Sequence, residues 1–221
     1  LRLHGDLAQH GASALTPLLL ADSPVVAWWP MKADENIGET PIGRMAQRRI
    51  TDASTKPYAS DRLSQLGASY APGDTDLAWT RLTHWREQLA AVLDQPPYEP
   101  VTAVEVVGAG SSPSTGLIAA WLRLKLDVPV AWRYSPPEEW EHGIQKVRLT
   151  RASGDIVLER SNDIDATLTQ PGQPSHDIVL PRRTLRECLA EELRRLDPDL
   201  LYGRVITEGW GLIGAPATAE S

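Results

Sequence analysis

Three groups of residues have the types and spacing that chemistry requires. The first is the loop at 108–113, Gly-Ala-Gly-Ser-Ser-Pro, between an apolar strand and a helix. Backbone NH groups at such a helix start can hold phosphate oxygens. Gly108, Gly110, Ser111 and Ser112 would form that cradle. The fingerprint is partial. A third glycine is missing, no lysine follows as in a P-loop, and Pro113 withholds an NH. The plainer reading is a strand–helix connector with a serine at its N-cap.

The second group lies in the run 67–86, where Pro72 and Gly73 mark a turn before a helix. Asp74 stands where an N-cap is expected and Asp76 falls in the first turn, where the helix dipole favours negative charge. Both carboxylates have acid–base chemistry available, but capping accounts for them without it. Ala78, Leu82, Trp85, Leu89 and Val92 then recur at helical spacing as one apolar stripe. Trp79 lies beside the stripe, and Arg81 and Arg86 lie off it.

The third group is the nucleophiles and metal-ligand types. His4, His10, His84, His142 and His176 are scattered, with no helical i, i+4 pair around a carboxylate, so no metal site is expected. There is no Gly-x-Ser-x-Gly elbow. Cys188 is the single cysteine and can form neither an intrachain disulfide nor a cysteine metal cluster. It shares an amphipathic segment with Leu185, Leu189 and Leu196, so a buried, inert thiol is expected. No cofactor is indicated.

Tryptophan and arginine are the residue types most enriched at binding hot spots. Trp85, Trp121 and Trp132 read as core. Trp28, Trp29 and Trp79 sit at a strand end and a helix start, where side chains reach the surface. Neighbours on a strand point to opposite faces. Trp28 and Trp29 therefore share one core only if both sheet faces are covered, and otherwise one of them is an interface anchor. Arg48-Arg49, read as a basic pair on a helix end, and Arg182-Arg183 are more often solvated than hot spots.

The elements that must carry these residues read as α/β. Residues 1–4 are a strand end, 8–20 helical and 24–29 a short buried strand. Residues 101–107, 114–126 and 129–134 repeat strand, helix, strand. This predicts two βαβ-type units with mainly parallel strands. Short alternating strands at 144–151, 155–160, 166–169 and 178–180, with turns at Ser153-Gly154 and Pro171-Gly172, predict an antiparallel meander. A C-terminal helix is expected over 184–196, with Thr184 and Glu187 forming a capping box and Asp197-Pro198 ending it. The expected organisation is the remainder of an N-terminal α/β domain at 1–72, a C-terminal α/β domain with the meander at 73–208, and a loose tail at 209–221.

The chain has 221 residues, 42% hydrophobic and 23% charged, as in ordinary globular proteins. Its net charge of −7 argues against nonspecific binding to nucleic acid or acidic membrane surfaces. No apolar run approaches a membrane span. One cysteine fits a reducing compartment. The chain opens on Leu1 rather than Met, and a preceding N-terminal portion is expected.

The run 70–86, the adjacent Trp28-Trp29 pair, and Met45 through Asp52 resemble the OpcA family of glucose-6-phosphate dehydrogenase assembly proteins. The likeness continues through 117–122, 170–174, 180–183 and 190–198, and so covers nearly all of the chain. The resemblance implies a non-catalytic cytoplasmic protein of the oxidative pentose phosphate pathway, which binds glucose-6-phosphate dehydrogenase and favours its active oligomer. The expected contact surface is Trp28, Trp29, Arg48, Arg49, Asp74, Asp76, Trp79, Arg81 and Arg86. Redox control, associated with the family, is not carried over, because one cysteine has no resolving partner. The rival reading is a sugar-phosphate or nucleotide-phosphate sensor or enzyme using the 108–113 loop.

Overall fold

In the computed structural model, residues 16–217 are described, apart from 20–22, 32, 34–35 and 56–58. The strand and helix expected within residues 1–15 lie outside the described residues. Two sheets organise the rest. The smaller has three parallel strands in the order β1 (Val26–Trp28), β2 (Arg48–Thr51) and β3 (Asp74–Asp76). Between β1 and β2 lies a short helix α1 (Pro41–Met45), whose N-cap Thr40 accepts from the Gly43 NH. Helix α2 (Ala59–Ala68) fills the crossover from β2 to β3.

The larger sheet follows from residue alternation. Its strands are β4 (Ala103–Ala109), β5 (Val130–Ser135), β6 (Ile144–Arg151), β7 (Gly154–Arg160), β8 (Asp165–Thr169) and β9 (His176–Val179). The order is β5-β4-β6-β7-β8-β9, with β4 and β5 parallel and every other pair antiparallel. Val147 stands opposite Leu158, and Leu149 opposite Ile156, so the apolar sets share one face. The other face is a charged surface, where Glu105 pairs with Arg133 and Arg148, and Lys146 with Glu159. One dry and one wet face is the usual consequence of antiparallel alternation.

The apolar stripe expected over 78–92 is buried along its whole length. It is carried by two helices, α3 (Leu77–Thr80) and α4 (Thr83–Leu93), rather than one. A tight link joins them, in which the Leu82 NH donates to the Trp79 carbonyl at 3.0 Å. Helix α5 (Pro113–Leu126) is buried on all sides from Pro113 to Leu122. It packs on β4 and β5 and is overlaid by the C-terminal segment. Pro113 supplies the fixed φ that suits a first turn, and Asp127 ends the helix in a left-handed conformation.

Helix α6 (Leu185–Glu192) has the expected capping box, with the Thr184 hydroxyl accepting from the Glu187 NH. Helix α7 (Leu200–Arg204), capped by Asp199, continues as a π turn at Val205–Gly209 and a 3-10 turn at Trp210–Leu212. Of the tail expected to be loose from residue 209, the described part, 209–217, is docked. Trp210 packs against Trp132, the Trp132 indole NH donates to the Gly214 carbonyl, and the Ala217 NH donates to the Trp132 carbonyl. Trp132 supplies both an aromatic face and polar partners, which counterbalance the low propensity of this small-residue segment. Among the described residues no helix is long and apolar enough to cross a membrane.

Candidate functional site

Strand β2 carries Arg48 and Arg49 into the interior, at 1% and 7% exposure. They are neither on a helix end nor solvated, as the sequence alone suggested. Arg48 forms an ion pair with Glu192 of α6 and donates to the Asp197 carbonyl at 3.1 Å. Glu192 also accepts from the Thr80 hydroxyl at 2.6 Å. Arg49 pairs with Asp74 and donates to the carbonyls of Ala46 and Pro72, at 2.7 and 2.6 Å. Each guanidinium has a carboxylate and at least one carbonyl, and buried charge is tolerated only with such partners.

Asp74 is a β3 residue and not a helix cap. Besides holding Arg49, it accepts from the Ala71 NH at 2.8 Å. The turn before it needs Gly73, whose φ is +99° and whose added Cβ would meet the Gln47 carbonyl at 2.2 Å. The N-cap of α3 is Asp76, which accepts from the Ala78 NH at 2.8 Å, the Ala53 NH at 2.9 Å and the Thr51 hydroxyl at 2.6 Å. It has no exposed surface, and burial pushes its pKa up. Its carboxylate ties the end of β2, through Thr51 and Ala53, to the start of α3.

Arg81 grips Asp52 with both terminal nitrogens, at 2.7 and 2.8 Å. Burial raises the Asp52 pKa, but Arg81 and Ser54 outweigh it and hold the carboxyl below its ordinary value. Trp79 lies in the core at 1% exposure. Its indole NH donates to Asp199 at 2.8 Å, and the Arg86 guanidinium stacks 3.9 Å from its ring centre. Trp28 is 39% exposed at the end of β1, while Trp29 is half-buried. The structure therefore gathers Arg48, Asp76, Trp79 and their partners into an interior network joining the small sheet to α3 and α6. Trp28 is the member of the expected contact set that stands most clearly on the surface.

A cleft opens beside this network. It measures about 490 Å³ and lies at the N-terminus of α5. Leu82 and Trp85 contribute its apolar wall, and Ser111 and Ser112 its edge. Arg81, Arg160, Arg182 and Arg183 line it, and among the described residues none of its lining side chains is acidic. The 108–113 loop reaches it through a register shift at Val107/Gly108. A Cβ on Gly108 would meet the Thr115 hydroxyl at 2.5 Å and the Gly143 carbonyl at 2.7 Å, so only glycine lets β4, α5 and the β6 lead-in approach this closely. Gly110 instead faces the Tyr134 ring.

Sequence reasoning passed over Arg160. The signal was present, because Ile156, Leu158 and Arg160 occupy the same inward phase of β7, and a charge there is anomalous. Burial, and then the nearby charge of Arg182, push its pKa down to about 10. Cys188 is fully buried against Ile50 and Leu77, and burial raises its pKa. No three His, Cys, Asp or Glu side chains come together as metal ligands would among the described residues.

Among solved structures, the fold is similar to that of KijD10, a 3-ketoreductase from Actinomadura kijaniata. A mutant of that enzyme, in complex with TDP-benzene and NADP, matches with a TM-score of 0.53 and 10% identity, over 95% of this chain and 85% of the reductase. An open conformation of KijD10 with the same ligands matches with a TM-score of 0.49, 11% identity and the same coverage. At such identity the likeness concerns the fold alone. No curated protein sequence matches the chain. Residues 1–68 match the domain described as the glucose-6-phosphate dehydrogenase subunit N-terminal domain, OpcA type. Residues 72–206 match the corresponding C-terminal domain. The chain belongs to the OpcA family of glucose-6-phosphate dehydrogenase subunits.

Proposed function

We propose that this protein is a non-catalytic, cytoplasmic subunit that binds glucose-6-phosphate dehydrogenase and favours its active oligomer. The observation that carries the reading is the match to both domains of the family, over residues 1–68 and 72–206. The carboxylates best placed to attract notice in the sequence, Asp74 and Asp76, are engaged as structural acceptors, which fits a binding role better than a catalytic one. A ligand that binds one oligomeric state more tightly shifts the population toward it by mass action, and no chemistry on the subunit is needed.

Trp28 anchors the proposed contact surface. It is large, exposed, and next to the half-buried Trp29 at the end of a parallel strand. Arg81 and Arg86 remain partly exposed and extend the surface. Arg48, Arg49, Asp74, Asp76 and Trp79 act from beneath, by fixing the position of β2, β3 and α3.

The test is light scattering on the cognate dehydrogenase, alone and with this protein, together with its specific activity. A shared peak with a larger dehydrogenase oligomer and raised activity is expected. A shared peak with unchanged oligomer and activity would reduce the role to scaffolding, and no complex at micromolar concentrations would remove the reading.

A further inference from the structure

The cleft beside α5 carries a charge imbalance that the fold itself does not resolve. Three of its arginines have carboxylate partners outside the lining: Arg81 has Asp52, Arg182 has Asp163, and Arg183 has Glu191. Arg160 has none within ion-pair distance among the described residues. It is 5% exposed, its Nε has no hydrogen-bond acceptor, and its NH1 donates to the Asp163 carbonyl at 3.2 Å. A guanidinium has five N–H donors, so one carbonyl leaves most of its capacity unused. Burying such a cation without a counter-ion is unfavourable.

The helix end supplies a second source of positive potential. Helix α5 has 14 residues, and its N-cap Ser112 makes no capping hydrogen bond. Pro113 has no NH, and the Ser112 and Thr115 NH groups donate to the Ala109 and Ser112 carbonyls, so the first turn offers the Ser114 NH and the positive end of the dipole to the cleft. Ser112 lines the cleft with Arg160 and Arg182. The Arg160 guanidinium is also held in place, 5.5 Å from the centre of the Trp85 ring.

We propose that this cleft binds a phosphorylated small molecule, with the phosphate held by Arg160, Arg182 and the first turn of α5 and the organic part lying against Trp85 and Leu82. A phosphate offers tetrahedrally arranged oxygens to donors arriving from several sides, whereas a carboxylate offers two in one plane. The volume of about 490 Å³ is in the range of cofactor and metabolite pockets and exceeds what a bare phosphate ion fills. The site uses the Ser111-Ser112 end of the 108–113 loop, but its charge comes from strands and loops far away in sequence. It is a property of this chain alone and does not depend on the dehydrogenase.

Calorimetric titration of the protein, without dehydrogenase, tests the proposal with three probes: inorganic phosphate, glucose 6-phosphate and NADP. At least one organic phosphate should bind about tenfold more tightly than inorganic phosphate and raise the melting temperature. Arg160→Gln should weaken that binding by about tenfold or more, the effect of losing a charge-assisted hydrogen bond. Without ligand its melting should be no lower than that of the parent, because an uncompensated buried charge is removed. Should Arg160→Gln fail to fold, Arg182→Gln, at a side chain 28% exposed, provides the same comparison. No binding of any probe up to about 10 mM, equal affinity for inorganic and organic phosphate, or full binding in the folded variants would each overturn the proposal. None of these outcomes bears on dehydrogenase binding, which is read separately by light scattering.

Discussion

Arg48 on β2 and Glu192 on α6 are 144 residues apart in sequence and form an ion pair with both side chains buried. Their contact fastens the small parallel sheet to the C-terminal helix. Thr80 of α3 bonds the same carboxylate, so three elements meet at one side chain.

Removing one partner should therefore cost far more than removing both. Glu192→Ala leaves the Arg48 guanidinium buried without its counter-ion, and urea unfolding should show a loss of about 3–5 kcal/mol. The double variant Arg48→Met with Glu192→Leu should recover a large part of that loss. A single-variant cost below about 1 kcal/mol would mean that water or another acceptor replaces the carboxylate.

Trp79 and Trp28 should separate stability from binding. Trp79→Ala removes a core indole, its bond to Asp199 and the surface under Arg86. A loss of about 3–5 kcal/mol is expected, as for other buried aromatic truncations. The sequence alone pointed to an interface role for Trp79. Trp28→Ala should change stability by less than about 1 kcal/mol yet weaken the dehydrogenase complex by about 2 kcal/mol or more, the signature of a hot spot. Melting curves and binding isotherms on the same samples distinguish the two.

The Asp52–Arg81 pair should be visible in acid. The folded-state pKa of Asp52 lies below its ordinary 3.8 because Arg81 and Ser54 outweigh burial. Its contribution to stability is thus fully present above pH 3.8 and is lost as pH falls through the lower folded-state value. Asp52→Asn should remove that part of the acid-side slope in urea midpoints measured across pH 2–6 (a range of about four units). Asp76 has the opposite sign, since burial raises its pKa. Its folded form gains relative stability at low pH and loses it as pH rises from the unfolded toward the folded value. An unchanged slope in Asp52→Asn would argue against the pair as its source.

Cys188 should behave as a core residue. Its thiol is fully buried, and burial raises its pKa despite the nearby Arg183 and Arg81 charges. Alkylation by iodoacetamide at mildly alkaline pH should proceed roughly 100-fold more slowly than in urea, being limited by opening of the fold. Rapid native-state reaction would show that α6 detaches readily from Ile50 and Leu77.

Much of the architecture was readable from local pattern. Alternation along Ile144–Arg151 identified β6, and Thr184 with Glu187 marked the start of α6. Apolar spacing from Ala78 to Val92 identified the buried helical face. These signals are local because side-chain direction repeats every two residues in a strand and every 3.6 in a helix. The adjacent tryptophans posed a choice between core and surface, and only the placement of the sheet resolved it in favour of an exposed Trp28.

What sequence determined by itself was the family and most strands of the larger sheet, since both rest on the order of residues along the chain, whereas β2 and β3 were read as a helix end and a helix cap. Tertiary structure alone decided the partners of the charges. Arg48 and Arg49 look like a solvated basic pair until Glu192 and Asp74 are brought to them. Arg160, Arg182, Arg81 and Ser112 come from four separate stretches and share one cleft only after the larger sheet closes over α5. Coulombic and hydrogen-bond energies depend on separation in space and on burial, neither of which is encoded by spacing along the chain.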